Sequence, residues 1–320
     1  MAGMMKKFQW TVLLLPAAQM LLAPAGYGAD GSIYSFLRND YSARAAALAG
    51  SVITVQEDPT SLFYNPAGVA TLTRDRGSAG FFKHLSDINA GFLAYSTSFE
   101  GIGRFGAGIQ YTNYGSFEET DALGNVLGTF AANDLAFTVG YGLTLEENLF
   151  VGGAVKFIYS GIASYTSTGA AGDLGMLYTI PASRFAVGMS IRNLGGQIST
   201  YNGIRESLPL DIGIGASIIP KGLPLLLNVG FHRLNEQTDS FSGRFRSFTV
   251  GGEFTLSKVL LFRFGYDNAR RQDFRIGTSA DLAGFSAGLG ILVAGYTVDY
   301  SLSSLGKAGM LHRISVSTAF

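Results

Sequence analysis

The sequence predicts an all-β fold: a transmembrane antiparallel β-barrel of about fourteen strands, preceded by a short N-terminal hatch segment. Three observations carry that expectation. From residue 77 onward, apolar residues recur at every second position in segment after segment, the period of a strand with one greasy face. The opposite face is Gly, Ser, Thr and Ala with occasional charges, whereas a soluble sandwich would put Lys and Glu there. Links from even to odd segments are short and most links from odd to even segments are longer, the asymmetry expected of periplasmic turns and outer loops.

The N-terminus reads as an export signal. Lys6 and Lys7 precede the apolar run "FQWTVLLLPAAQMLLA", and small residues follow in "PAGYGAD", the layout of a cleavable leader. Pro16 and Gln19 interrupt the run, which falls short of the ~20 apolar residues that a spanning helix needs. Residues 1–29 are therefore assigned to a signal peptide, with cleavage after Ala25, Gly28 or Ala29.

Residues 30–76 form the hatch. "ARAAALAG" carries helix formers up to Gly50. In "EDPTSLFYNPAGVATL", Asp58 can cap a helix that starts at Pro59, and Asn65 one that starts at Pro66, because an Asx oxygen accepts a free first-turn N–H and proline loses none there. Two short helices bearing Leu62, Phe63, Tyr64, Val69 and Leu72 need an apolar cover. With no second domain available, that cover is the barrel interior or its periplasmic mouth. Asp58, Pro59, Asn65, Pro66, Ala67 and Gly68 are the candidate hatch motif.

Residues 77–320 form the barrel. Strands are expected to begin near 77, 89, 103, 131, 149, 169, 183, 206, 223, 245, 258, 283, 296 and 311. Phe105, Ala107, Ile109 and Tyr111 share one face, as do Leu135, Phe137, Val139 and Tyr141, and Tyr296, Val298, Tyr300 and Leu302. Tyr111, Tyr141, Tyr159, Tyr266 and Tyr300 are expected at the membrane–water girdles. "EGIG", "TLEEN", "IPAS", "IPKG", "LSK" and "VAG" are the short links, against "GSFEETDALGNVLGTF", "LGGQISTYNGIRES", "RLNEQTDSFSGR" and "DNARRQDF". That parity places both termini in the periplasm. The last strand, "HRISVSTAF", turns Ile314, Val316, Thr318 and Phe320 to one face, which suits a barrel-assembly signal.

Charged residues are 14% of the chain, well under the roughly 25% of soluble domains. Lys+Arg 23 balances Asp+Glu 23, so no net field favours nucleic acid. With Cys 0 there is no disulfide framework. The three histidines, His84, His232 and His312, lack metal-ligand spacing. A literal G-x-G-x-x-G at Gly101, Gly103 and Gly106 precedes a strand rather than a helix, so it reads as a turn and not a dinucleotide site. No two residues can be assigned catalytic roles. The expectation is a non-enzyme with no cofactor and no metal. Arg74–Arg76 and Arg270, Arg271 and Arg275 are read as solvated loop charges.

"FLRNDYSARAAALAG" followed by "EDPTSLFYNPAG" resembles the N-terminal signature of the PorV/PorQ family, outer-membrane proteins associated with type IX secretion. "GFSAGLGI", "YTVDYSLSSLG" and "HRISVSTAF" look like that family's last three strands. The resemblance covers both ends of the mature chain, and the middle agrees only in pattern. That family belongs to the wider FadL-like group of fourteen-stranded barrels, whose hatch also carries an Asn-Pro-Ala motif, matched here by Asn65, Pro66 and Ala67. The resemblance implies an outer-membrane location and a part in type IX secretion, as a binder of cargo signal domains or an anchor of the surface-attachment machinery. Its expected partners are outer-membrane lipid, the barrel-assembly machinery, secretion-system subunits and cargo proteins. The alternative is a FadL-like transporter of small hydrophobic molecules. A simple diffusion porin comes third, since its constriction needs rings of charge.

Overall fold

The computed structural model describes residues 32–83, 88–238, 240–274 and 282–320. The expected leader, His84 and Arg275 lie outside the described residues. Fourteen antiparallel strands form a closed barrel: β1 (Arg76–Lys83), β2 (Asn89–Phe99), β3 (Gly103–Thr120), β4 (Val126–Glu146), β5 (Leu149–Ile162), β6 (Tyr165–Ile180), β7 (Phe185–Ser199), β8 (Asp211–Ile218), β9 (Leu225–Phe231), β10 (Phe248–Thr255), β11 (Leu260–Asp267), β12 (Phe285–Val293), β13 (Tyr296–Ser304) and β14 (Met310–Ala319). Each strand pairs with its sequence neighbours. The seam closes where β1 pairs with β14, from Arg76↔Ala319 to Lys83↔His312. Closure removes the free edges that hydrocarbon cannot tolerate.

The alternation explains which side faces out. Phe105, Ile109 and Tyr111 on β3, and Leu135, Phe137 and Val139 on β4, are exposed, while the residues between them are buried. Large apolar side chains therefore coat the outer wall, and the lumen takes what lies between. The short links come where they were expected, at residues 100–102, 147–148, 181–184, 219–224, 256–259 and 294–295. The literal Gly-rich run at Gly101, Gly103 and Gly106 is the first of these turns and the start of β3, with Gly101 at φ 73.

Two departures stand out. "GSFEETDALGNVLGTF" is not a loop. β3 and β4 run on as a two-stranded ribbon to Thr120↔Val126, past the last β2 partner at Asn113 and the last β5 partner at Ala132. Bulges at Asn113/Ser116 and Glu119/Thr120 let the ribbon leave the wall, as an extra residue bends and twists one strand. At its tip the Asp121 carboxylate accepts from the N–H of Leu123 and Asn125 and from the Asn125 amide. Those donors, the Asn125 side chain foremost, hold Asp121 below the usual carboxylate range. The second departure is "DNARRQDF", in which Asn268–Phe274 is an α-helix; Asp267 accepts from the Arg270 N–H and so caps its first turn.

The N-terminal segment crosses the lumen from rim to rim. Ile33 donates its N–H to Ser207 in the long β7–β8 link, and Tyr34 shares a 2.6 Å hydrogen bond with Ser167 beside the β5–β6 turn. At the other end, Asp75 meets Ser98 and Arg104 at the β2–β3 turn, and its carbonyl accepts from Phe320 N. The ends of the barrel wall, Arg76 and Ala319, thus share the short-turn rim. The described chain itself begins at the opposite one.

Candidate functional site

The site is the contact between the N-terminal segment and the inner wall. Two different kinds of contact make it. On the side of β2 to β6 the contact is dry. Pro59–Phe63 and Pro66–Thr71 are the two short helices expected, both of the 3₁₀ kind. The Asn65–Pro66 junction follows the first turn too soon for either to lengthen. Their caps are formed by the residues singled out in the sequence. Asp58 Oδ1 accepts from Thr60 N at 2.9 Å, and Asn65 Oδ1 from Ala67 N at 3.1 Å. Asn65 also donates through Nδ2 to Ile53 O at 2.8 Å and Met176 O at 3.2 Å. One buried amide thereby caps a turn and ties it both to its own segment and to β6.

The wall answers with glycine. A methyl group on Gly108 would lie 2.5 Å from the Phe63 ring, and one on Gly152 would lie 2.5 Å from the Pro66 backbone. Gly140 and Gly175 lie as closely against Leu62 and Asn65. At Gly152 the neighbour is backbone, an approach open to glycine alone, and at the other three it is a side chain pressed onto the wall. Gly68 serves the segment's own fold in the same way, since a Cβ there would meet the Ser61 Cβ at 2.6 Å.

On the side of β7 to β14 the contact is charged. Helix α1 (Ala43–Ala47), capped by Ser42, lies against β11 to β14. Its Arg44 binds Glu253 of β10 and, at 3.2 Å, Asp58. Glu253 also accepts from Arg263 Nε at 2.6 Å, and Arg263 Nη1 donates to Asp299 at 2.6 Å. Asp40 pairs with Arg270 at 3.1 Å, its carbonyl accepts from Arg313 Nε at 2.7 Å, and Arg192 pairs with Asp211. Within the wall itself, Lys156 and Asp173 form a pair at 2.7 Å with both side chains shut from water. The inner face thus carries more charge than the occasional charges among Gly, Ser, Thr and Ala read from the sequence. These charges are spent on one another and on the N-terminal segment, not set as a ring around an open bore.

At the short-turn rim the Thr97 hydroxyl, the Ser98 N–H and Arg104 hold the Asp75 carboxylate below its ordinary range. Of the histidines, His232 lies 3.5 Å from Asp211, and His312 is exposed and hydrogen-bonded to Tyr300 at 2.7 Å. Ile314, Val316 and Phe320 face outward, and Thr318 donates to Gly295 O at 3.3 Å. The Phe320 ring rests over Gly77 and beside Tyr95, 6.1 Å between ring centres.

Compared with family models and with curated proteins, the sequence matches none. Solved structures do match in fold. The toluene transporter TbuX of Ralstonia pickettii aligns with a TM-score of 0.59 at 12% identity, covering 86% of this chain and 97% of that one. The CymD monoaromatic hydrocarbon channel gives 0.60 at 12%, covering 92% and 99%. A FadL homologue of Pseudomonas aeruginosa gives 0.55 at 10%, covering 92% and 100%. The chain has the fold of the FadL-like outer-membrane barrels. At such identities the likeness is one of architecture, and function has to be argued from the site.

Proposed function

We propose that the chain is a non-enzymatic outer-membrane barrel whose N-terminal hatch gates the passage of small hydrophobic molecules. The supporting observation is the combination of a closed fourteen-strand wall with a segment that occupies its lumen, in a fold shared with proteins named as a toluene transporter and a monoaromatic hydrocarbon channel. Asp58, Pro59, Asn65, Pro66, Ala67 and Gly68 set the shape of the hatch, and displacement of that shape opens the route. The short-turn rim faces the periplasm, and Ile314, Val316, Thr318 and Phe320 form the signal read by the assembly machinery.

The test is uptake of radiolabelled toluene by cells that produce the full chain, compared with cells producing Gly152→Val and with cells lacking the protein. Uptake above background that changes with the Gly152 substitution supports gated passage. Uptake at background in both removes it.

A second reading has its own support. The β3–β4 ribbon stands clear of the wall with Leu123 87% exposed at its tip, and the N-terminal segment contacts the inner wall on both sides. A barrel so occupied, with a projecting apolar ribbon, suits a docking platform for secretion-system subunits and cargo, the role that the PorV/PorQ resemblance implies. Truncating residues 117–130 separates the readings: secretion of signal-domain cargo fails in one case, and hydrocarbon uptake is unchanged in the other.

A further inference from the structure

A half-enclosed cavity of about 70 Å³ lies between the hatch and the wall, beside the β9–β10 and β11–β12 links. Its charged lining is Arg38 and Asp40 from the hatch, Arg192, Asp211 and Asp267 from the wall, and Arg233 and Arg270 from the links, with His232 beside Asp211. We propose that this cavity binds one small oxyanion, a phosphate or a short carboxylate, which bridges hatch and wall and holds the hatch shut.

The count of donors against acceptors carries the argument. Arg38 Nε, Arg192 Nε and Arg270 Nη1 are buried without a hydrogen-bond acceptor in the protein. The carboxylates nearby are already engaged: Asp211 takes Arg192 through one oxygen and the Arg233 N–H at 2.7 Å through the other, Asp40 takes Arg270 Nη2, and Asp267 caps the Arg270 N–H and stands 3.6 Å from the same Nη2. Glu236 stands 3.7 Å from Arg38 and 3.9 Å from Arg233, beyond hydrogen-bond length. Burial, and then the neighbouring Arg233, push the Arg38 guanidinium below its ordinary value, against the opposing pull of Glu236. Leaving charged donors buried and unpaired is costly, and an oxyanion is the group that meets several guanidinium forks at once.

Size and lining set the ligand class. At about 70 Å³, and lined by guanidinium and carboxylate groups, the cavity suits an anion of a few heavy atoms better than an acyl chain. Among the described residues, the apolar hollows between Phe105, Val155 and Leu174 and between Leu93, Phe137 and Val316 line the outer wall instead. The inference is independent of which solute crosses the barrel, because it concerns what locks the hatch.

The experiment is calorimetric titration of the full chain in micelles at constant ionic strength, with phosphate, acetate and octanoate as separate titrants. Phosphate and acetate should bind saturably at one site, with octanoate no tighter than acetate. Arg38→Gln should weaken phosphate by about tenfold or more, the loss of a charge-assisted contact. Arg184→Gln, at an exposed short turn, should leave it unchanged. Heat-modifiable migration of each variant reports that the barrel has formed. The proposal is overturned by no saturable binding to the folded wild type, by equal phosphate affinity in Arg38→Gln, or by octanoate binding far tighter than acetate.

Discussion

Arg44 of the hatch and Glu253 of β10 meet fork to fork, with Nε to Oε2 at 2.9 Å and Nη2 to Oε1 at 3.0 Å. Geometry of this kind fixes direction as well as distance. It joins α1 to the wall beside Gly251, Gly265 and Gly288, where a methyl group would meet Leu48 or Ala47 at 2.5–2.8 Å. Replacing Glu253 by Gln removes the charge that faces both Arg44 and Arg263. Breaking a buried pair from one side costs roughly 3–5 kcal/mol, and the loss falls on the hatch and not on the ladder of strand hydrogen bonds. Hydrogen exchange at residues 43–50 should quicken in Glu253→Gln while the wall keeps its protection. Unchanged exchange in α1 would show that the pair does not hold the hatch.

Gly152 and Gly153 make a paired test of the dry contact. A methyl group on Gly152 would lie 2.5 Å from the Pro66 backbone, whereas on Gly153 the nearest atom is 3.7 Å away. Gly152→Ala must shift the 66–71 turn, an overpacking cost of about 1–3 kcal/mol; Gly153→Ala points outward and should be silent. In planar bilayers, current steps are expected from Gly152→Ala and none from Gly153→Ala. Identical traces would mean that the turn yields without opening a path.

Lys156 and Asp173 are adjacent through the β5–β6 pairing, with Asn193 as the third member. Lys156→Met leaves the Asp173 carboxylate alone in a site closed to water, at a cost of roughly 3–5 kcal/mol. Adding Asp173→Asn removes the stranded charge and keeps an acceptor for the Asn193 N–H. The temperature at which the folded band converts on gels should fall in the single mutant and largely recover in the double. A double mutant as weak as the single would mean that the charges themselves stabilise the wall.

The wall was legible because its signal is local. Alternation placed the starts of β2, β3, β5 and β13 at the residues where they occur, since each strand carries its own two-residue period. The start of β8 came late, at Asp211, because the "ESLP" approach alternates as a strand would. The ribbon was missed because Gly, Asp and Asn in "GSFEETDALGNVLGTF" are turn residues, and only the pairing with β4 shows that they ride on a bulged strand. The caps at Asp58 and Asn65 could be read, as both bonds lie within two residues. The charged half of the site could not. Arg44 and Glu253 are 209 residues apart, and nothing in a strand's period tells which inward charge meets which. Glycine was visible as smallness, but the reason for it, a second backbone pressed against the wall, exists only in three dimensions.

Phe320 separates a folding role from an assembly role. Its N–H donates to Asp75 O at 2.8 Å, which substitution of the side chain leaves intact. Its ring is 73% exposed, touching only the Gly77 and Tyr95 surface. The seam is already paired through Ala319↔Arg76. On those contacts, Phe320→Ala should change the stability of the refolded barrel by less than about 1 kcal/mol, since most of the ring's area is not removed from water. If the outward row of Ile314, Val316, Thr318 and Phe320 is what the assembly machinery reads, the same substitution should deplete the outer membrane of the protein in cells. The expected pattern is near-normal urea unfolding in vitro together with accumulation of unassembled chain in the periplasm. Normal outer-membrane levels of Phe320→Ala would make the terminal ring incidental. Equal losses in vitro and in cells would assign it to the fold instead.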